Sequence, residues 1–191
     1  MKIITLYGNE NYLIRKSVKG DPQAQRLLYE KFAPKMLSVC RQYIKDLHFA
    51  EDVMVNGFIK VFKNLDSFQH KGSFEGWIRT IMVRESISYL RKRQFVVYDD
   101  EVFDAQRERS VDNEGLLDEE YVQQLIDDLP EGYKTVFLLY AIEGYNHQEI
   151  AQMLEISEGT SKSQLFKARK MLQENLSLKG MSPKSSSANR K

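Results

Sequence analysis

The stretch Tyr145-Asn146-His147-Gln148-Glu149-Ile150-Ala151-Gln152-Met153-Leu154-Glu155-Ile156-Ser157-Glu158-Gly159-Thr160-Ser161-Lys162-Ser163-Gln164-Leu165-Phe166-Lys167-Ala168-Arg169 reads as two short helices joined by a tight turn. Asn146 offers an N-cap acceptor and Glu149, three residues on, completes a capping box. Ile150, Ala151 and Leu154 then face inward. Ser157 caps the second helix, whose Ser161, Leu165, Ala168 and Leu172 recur at the spacing of a buried stripe. Ser163, Phe166, Lys167 and Lys170 fall on the opposite side, with Lys162 and Arg169 on the flanks, where long cations meet phosphates rather than base edges. Such a helix-turn-helix places its second helix in the DNA major groove. Thr160, Lys162, Ser163, Phe166, Lys167 and Lys170 are the candidate DNA-contacting residues.

The rest of the sequence fits that chemistry. The 191 residues carry a net charge of only +1, so a DNA-binding chain must segregate its charges. They are segregated: Arg79, Arg84, Arg91, Lys92 and Arg93 form one basic group and residues 162–170 another, whereas 99–120 is rich in acids. A single cysteine, Cys40, builds neither an internal disulfide nor a zinc site. No apolar run suits a signal peptide or a membrane span, so a cytoplasmic protein without membrane insertion is expected. His48, His70 and His147 lie on separate segments, and no phosphate loop, metal-ligand spacing or nucleophile elbow accompanies them. No catalytic residue, metal or cofactor is expected.

Outward from the C-terminal motif, an all-α chain of two helical blocks is predicted, with no segment alternating as a strand. Asp21 caps and Pro22 opens a helix running to Tyr43. A second runs from about Ala50 to Leu65, burying Val53, Met54, Phe58, Ile59, Val61, Phe62 and Leu65 and leaving Asp52, Asn56, Lys60 and Lys63 outside. Residues 66–72 break the periodicity. Ser73 caps a third helix through Phe74, Trp77, Ile78, Ile81, Ile87 and Leu90, with Trp77 on its apolar stripe. The expected organisation is a helical domain over 8–94, a flexible acidic linker over 95–117, the helix-turn-helix domain over 118–177 and a disordered basic tail over 178–191.

The ordered motifs now carry a resemblance. The block Ala50-Glu51-Asp52-Val53-Met54-Val55-Asn56-Gly57-Phe58-Ile59-Lys60-Val61-Phe62-Lys63-Asn64-Leu65 resembles the second conserved region of bacterial RNA polymerase sigma factors. Residues 74–92 look like the promoter-melting helix that follows it, and residues 129–145, running into the helix-turn-helix, look like the fourth region. Order, spacing and a missing third domain are similar to the extracytoplasmic-function (ECF) subfamily of the sigma-70 family.

The resemblance implies a fold of two small helical domains, a region 2 bundle and a region 4 helix-turn-helix, and a role in transcription initiation. It implies core RNA polymerase as partner, its clamp helices gripped by Asp52, Asn56, Phe58 and Lys60 and its flap met by region 4. It implies promoter DNA read at the −35 element by the recognition helix. At the −10 element, Phe68, Gln69, His70 and Lys71 would capture an unstacked base while Arg79, Arg84, Arg91 and Lys92 hold the backbone. The acidic linker resembles a segment that threads the polymerase cleft. An anti-sigma factor that masks the polymerase-binding faces, and a monomeric free state, also follow from the resemblance. Four residues depart from the common pattern: Gly57 where an acid is frequent, Arg84 for asparagine, Glu155 for a turn glycine, and Ser161 for a valine that would strengthen the inner face. The alternative from another class is a stand-alone helix-turn-helix regulator binding an operator as a dimer, which leaves residues 50–92 without a role.

Overall fold

The computed structural model describes residues 10–94 and 119–178; the linker expected over 95–117 and the tail beyond Leu178 lie outside the described residues. Among the described residues there are helices and turns and no strands. The chain divides into two compact units, 1–100 and 101–191.

Among the described residues, the first unit holds four α-helices. α1 (Glu10–Val18) was not expected from the sequence. Leu13, Ile14 and Ser17 form its buried side, Glu10 opens it and Arg15 and Lys16 close it in the sense favoured by the helix dipole. Gly20, at φ +80°, turns the chain into α2 (Pro22–Tyr43). Asp21 caps α2 as expected, its carboxylate accepting from the Gln23 and Ala24 amides at 3.0 and 3.1 Å. Pro34 sits inside α2 on its solvent side, where the helix continues through it.

α3 (Leu47–Lys63) starts earlier than Ala50 because Asp46 supplies the cap, accepting from the His48 and Phe49 amides. It also ends before Leu65, which belongs to a 3₁₀ turn over Leu65–Ser67. A loop then leads to α4 (Phe74–Gln94), where the Ser73 hydroxyl accepts from the Gly76 amide at 3.0 Å. The core is built from Leu28, Phe32, Met36 and Cys40 of α2, Val53, Met54 and Val61 of α3, and Ile78, Met82 and Val83 of α4. Burial pushes the Cys40 thiol up to about 11, so it stays protonated and unreactive in the folded chain.

Gly57 faces α4. A Cβ there would lie 2.3 Å from the Met82 sulfur and 2.9 Å from its terminal methyl, so a side chain at 57 would have to displace the end of the buried Met82 side chain.

The second unit begins with α5 (Glu119–Asp127) and α6 (Glu131–Phe137). Lys134 is only 3% exposed, and its ammonium pairs with Asp127 at 2.5 Å, tying α6 to α5. α6 passes directly into a π-helical segment, Leu138–Ile142, whose widened turn is closed by the Glu143 amide donating to Leu138 O. α7 (His147–Leu154) carries the complete capping box: the Asn146 side chain accepts from the Glu149 amide at 3.0 Å, and the Glu149 carboxylate accepts from the Asn146 amide at 2.8 Å. Glu155 ends α7 in the left-handed region, φ 58° and ψ 38°. The turn therefore keeps the left-handed geometry that glycine serves elsewhere, at a strain of roughly 1 kcal/mol or more. Ser157 starts α8 (Glu158–Leu178), its hydroxyl accepting from the Thr160 amide at 2.9 Å. Both α6 and α7 pack on α8.

Two substitutions test these local arguments. Gly57→Ala gains about 1 kcal/mol of helix propensity but overpacks against Met82 at a cost of about 1–3 kcal/mol, for a net loss. Urea unfolding followed by Trp77 fluorescence should show that loss, and the same substitution in a Met82→Ala background should be neutral or stabilising. Equal effects in both backgrounds would contradict the tight contact. Glu155→Gly should stabilise the second unit by about 0.5–1 kcal/mol, seen as slower hydrogen exchange in α7 and α8. Faster exchange would mean that the contacts Glu155 makes outweigh its strain.

Candidate nucleic-acid interface

In the second unit, Ser161, Leu165 and Ala168 of α8 are buried, which turns Ser163, Phe166, Lys167 and Lys170 to solvent as the periodicity predicts. Leu172, Ala151 and Leu154 are only half-buried at the edge of this small core. Phe166 is 69% exposed in the middle of the cationic face. The cations are held loosely. Lys162 pairs with Glu158 at 2.7 Å and Lys170 reaches Glu174 at 3.7 Å, both one turn apart on the helix. The Lys162 hydrogen bond and charge hold the Glu158 carboxyl below its ordinary value, but pairs this exposed exchange readily for a phosphate. Lys167 lies 5.6 Å from the centre of the Tyr133 ring, and Arg169 lies 5.4 Å from that of Tyr140. Thr160 is half-buried and its hydroxyl is 2.8 Å from that of Ser157, so it completes the cap at the start of the recognition helix.

Ser161 does not simply weaken the inner face. It is fully buried and its hydroxyl lies 2.9 Å from His147 Nδ1, while the His147 ring stacks on Tyr140 at 4.7 Å. A valine would bury more apolar area; serine instead bonds the first turn of α7 to the first turn of α8.

In the first unit, the loop before α4 differs from expectation at its aromatic. Phe68 is 9% exposed, with ring centres 5.1 Å from Phe74 and 5.5 Å from Trp77. It anchors the loop in the core rather than standing free to stack on a base. Gln69, His70 and Lys71 are exposed beside it, His70 with φ 56° and its ring 4.5 Å from that of Phe68. Trp77 is half-buried against Phe74, as its place on the apolar stripe indicates.

The basic residues of α4 do not share one face. Arg84 and Arg91, seven residues apart, align with the half-buried Trp77, Ile81 and Ser88, and Lys92 lies beside them. Arg79 is turned about 140° from Arg84 at 100° per residue, among the buried Ile78, Met82 and Val83. Sequence spacing grouped it with cations that the helix separates. Between α1 and the loop lies a cleft of about 540 Å³, floored by Ile14, Leu65 and Phe68.

On α3 the exposed face runs through Asp52, Val55, Asn56, Ile59, Lys60 and Lys63. Phe58 is not part of it. It is 3% exposed and meets Tyr29 edge-on at 4.8 Å, because α3 rotates this ring into the α2 contact. The protruding apolar groups are instead Val55 and Ile59, the latter 46% exposed although the sequence placed it inside. Val55, Asn56 and Ile59 lie three, four and seven residues after Asp52, and that spacing was the available signal. Lys60 is held by Glu85 of α4 at 2.5 Å.

Among the described residues, no group of three His, Cys, Asp or Glu side chains is arranged to hold a metal, and no helix is long and apolar enough to cross a membrane.

Comparison with known proteins gives two family matches in order: sigma-70 region 2 over residues 28–96 and sigma-70 region 4 over residues 119–172. The chain is 28% identical to the ECF RNA polymerase sigma-E factor of Haemophilus influenzae over 177 residues, covering 86% of this chain and 93% of that one. It is 29% identical to the ECF RNA polymerase sigma factor SigW of Bacillus subtilis over 176 residues, covering 85% and 94%. Among solved structures, the sigma factor RpoE in complex with the anti-sigma factor NepR, from Bartonella quintana, is similar at a TM-score of 0.48 and 24% identity, covering 80% of this chain and 96% of that one. With both regions present in their order and relatives matched over nearly their full length, the chain belongs to the sigma-70 family of RNA polymerase sigma factors, in its extracytoplasmic-function group.

Proposed function

We propose that this sigma factor binds core RNA polymerase through the exposed face of α3 and carries it to promoters whose −35 element is read by α8 and whose −10 element is met by the loop before α4. The observation that carries the reading is the outward face of α8, where an exposed aromatic is set among three lysines on a helix capped by Ser157. Phe166 offers an apolar contact of the kind that meets a thymine methyl, Ser163 offers a hydroxyl to a base edge, and Lys162, Lys167 and Lys170 supply phosphate contacts.

At the −10 element, Gln69, His70 and Lys71 face the melted strand, and Arg84, Arg91 and Lys92 hold its backbone. Phe68 supports this surface from within. The α3 face combines Asp52, Asn56, Lys60 and Lys63 with the protruding Val55 and Ile59, the mixture of charge and apolar anchor that a specific interface uses. The polymerase clamp helices cover this face in the holoenzyme, and an anti-sigma factor covers it in the resting cell. The protein acts in the cytoplasm, where it supplies promoter specificity while the polymerase supplies the chemistry.

Two measurements separate these surfaces. Lys167→Ala and Lys170→Ala should each weaken binding of a −35 duplex and lower the slope of log K against log salt by about 1. An unchanged slope would remove the lysine from the phosphate contacts. Ile59→Glu should abolish retention of the chain on immobilised core polymerase while leaving −35 binding intact; full retention would exclude α3 as the polymerase face.

A further inference from the structure

The four cations of α8 are held in two different ways. Lys162 and Lys170 lean on Glu158 and Glu174, carboxylates that neutralise them. Lys167 and Arg169 lie on rings instead, 5.6 Å from the centre of Tyr133 and 5.4 Å from that of Tyr140, and among the described residues neither is ion-paired with a carboxylate. Both cations are exposed and both rings are half-buried. A ring restrains a long cation without cancelling its charge, so less conformational freedom is lost when that cation meets a phosphate. A planar guanidinium suits a ring face best. Tyr133 comes from α6 and Tyr140 from its π-helical continuation. Tyr140 is itself fixed, because its ring stacks at 4.7 Å on His147, whose Nδ1 lies 2.9 Å from the Ser161 hydroxyl. Around the helix, Lys167 stands about 100° to one side of Phe166 and Arg169 about 60° to the other. With Phe166 toward the base pairs, the two cations diverge toward the two walls of the major groove.

We propose that Tyr133 and Tyr140 are positioning residues for −35 recognition: they hold Lys167 and Arg169 at opposite edges of α8, aimed at phosphates of opposite strands. Neither tyrosine touches DNA. Arg169 thereby joins the DNA-contacting residues as a phosphate ligand, and its ring support explains why an exposed cation at the edge of the face needs no carboxylate to place it. The π-helical segment carries Tyr140 to the Arg169 side of α8, while α6 keeps Tyr133 on the Lys167 side. Lys162 and Lys170 must first release a carboxylate, so each gains less from a phosphate than the two ring-held cations do. The proposal rests on the reading that α8 enters the major groove of the −35 element.

The test measures binding of the full chain to a −35 duplex in which single phosphates of either strand are replaced by neutral methylphosphonates. The wild-type chain should lose about threefold or more at a phosphate on each strand. Arg169→Ala should lower the slope of log K against log salt by ~0.9 and erase the penalty on one strand only, and Lys167→Ala should erase the penalty on the other. Tyr140→Leu should cost about threefold, the size of an exposed cation–ring contact, whereas Tyr140→Phe should keep wild-type binding. In an Arg169→Ala background Tyr140→Leu should cost nothing further. An equal cost in both backgrounds would make Tyr140 a packing residue and overturn the proposal, as would an unchanged salt slope in Arg169→Ala, or both penalties falling on one strand. Arg169 is exposed, so its variant decides the matter even where Tyr140→Leu loosens the fold. If the wild-type chain does not prefer the −35 sequence to an unrelated duplex, the reading of function fails and this proposal fails with it. Where that preference is present, the overturning results strike the proposal alone.

Discussion

Much of the first unit depends on the close packing of α3 against α4. At Gly57 the backbone of α3 lies open to Met82, and a methyl group there would sit 2.3 Å from its sulfur. The close α3–α4 contact brings Glu85 within reach of Lys60, turns Phe58 toward Tyr29 of α2, and leaves Val55 and Ile59 without cover. It also fixes the two ends of the loop over residues 64–73. Phe68 plugs that loop into the Phe74–Trp77 cluster, so its polar tip is presented from a rigid base rather than from a free strand. The apolar core thus determines which polar residues reach solvent together.

The second unit relies more on polar ties. Its described part spans residues 119–178, close to the size at which a single core becomes marginal. The Asn146–Glu149 capping box, the His147–Ser161 bond and the Lys134–Asp127 pair each join two points of the chain whose relative placement sets the recognition helix. Directed bonds fix orientation where burial of apolar area alone permits sliding. A buried lysine adds little net stability, but it penalises arrangements in which Asp127 is out of reach. The strained Glu155 turn is tolerated within this frame, held on one side by the capped α7 and on the other by the Ser157 cap.

The caps at Asp21, Ser73, Asn146 and Ser157 were legible in the sequence because a cap is a local bond with local residue preferences. The outward face of α8 was legible for the same reason, since its apolar stripe is narrow. α3 was harder. Val53, Met54, Val55, Phe58, Ile59, Val61 and Phe62 surround most of its circumference, so periodicity marks a helix without choosing its exposed side. The packing of α2 and α4 makes that choice, through contacts distant in sequence. Phe68 was hard to place for a related reason: a loop aromatic looks like a ligand group until its neighbours are known. α1 is a nine-residue helix with a short stripe, and the π-helical segment has no spacing of its own to betray it.

The central claim is that this chain confers promoter specificity on a polymerase that lacks it. The most direct measurement adds the purified chain to core RNA polymerase free of any other specificity subunit and looks for run-off transcripts from fragments of its own genome. Discrete transcripts from a few start sites, each preceded by shared −35 and −10 sequences, are the expected result. Failure to bind core polymerase, together with no transcript above the core background, would contradict the account.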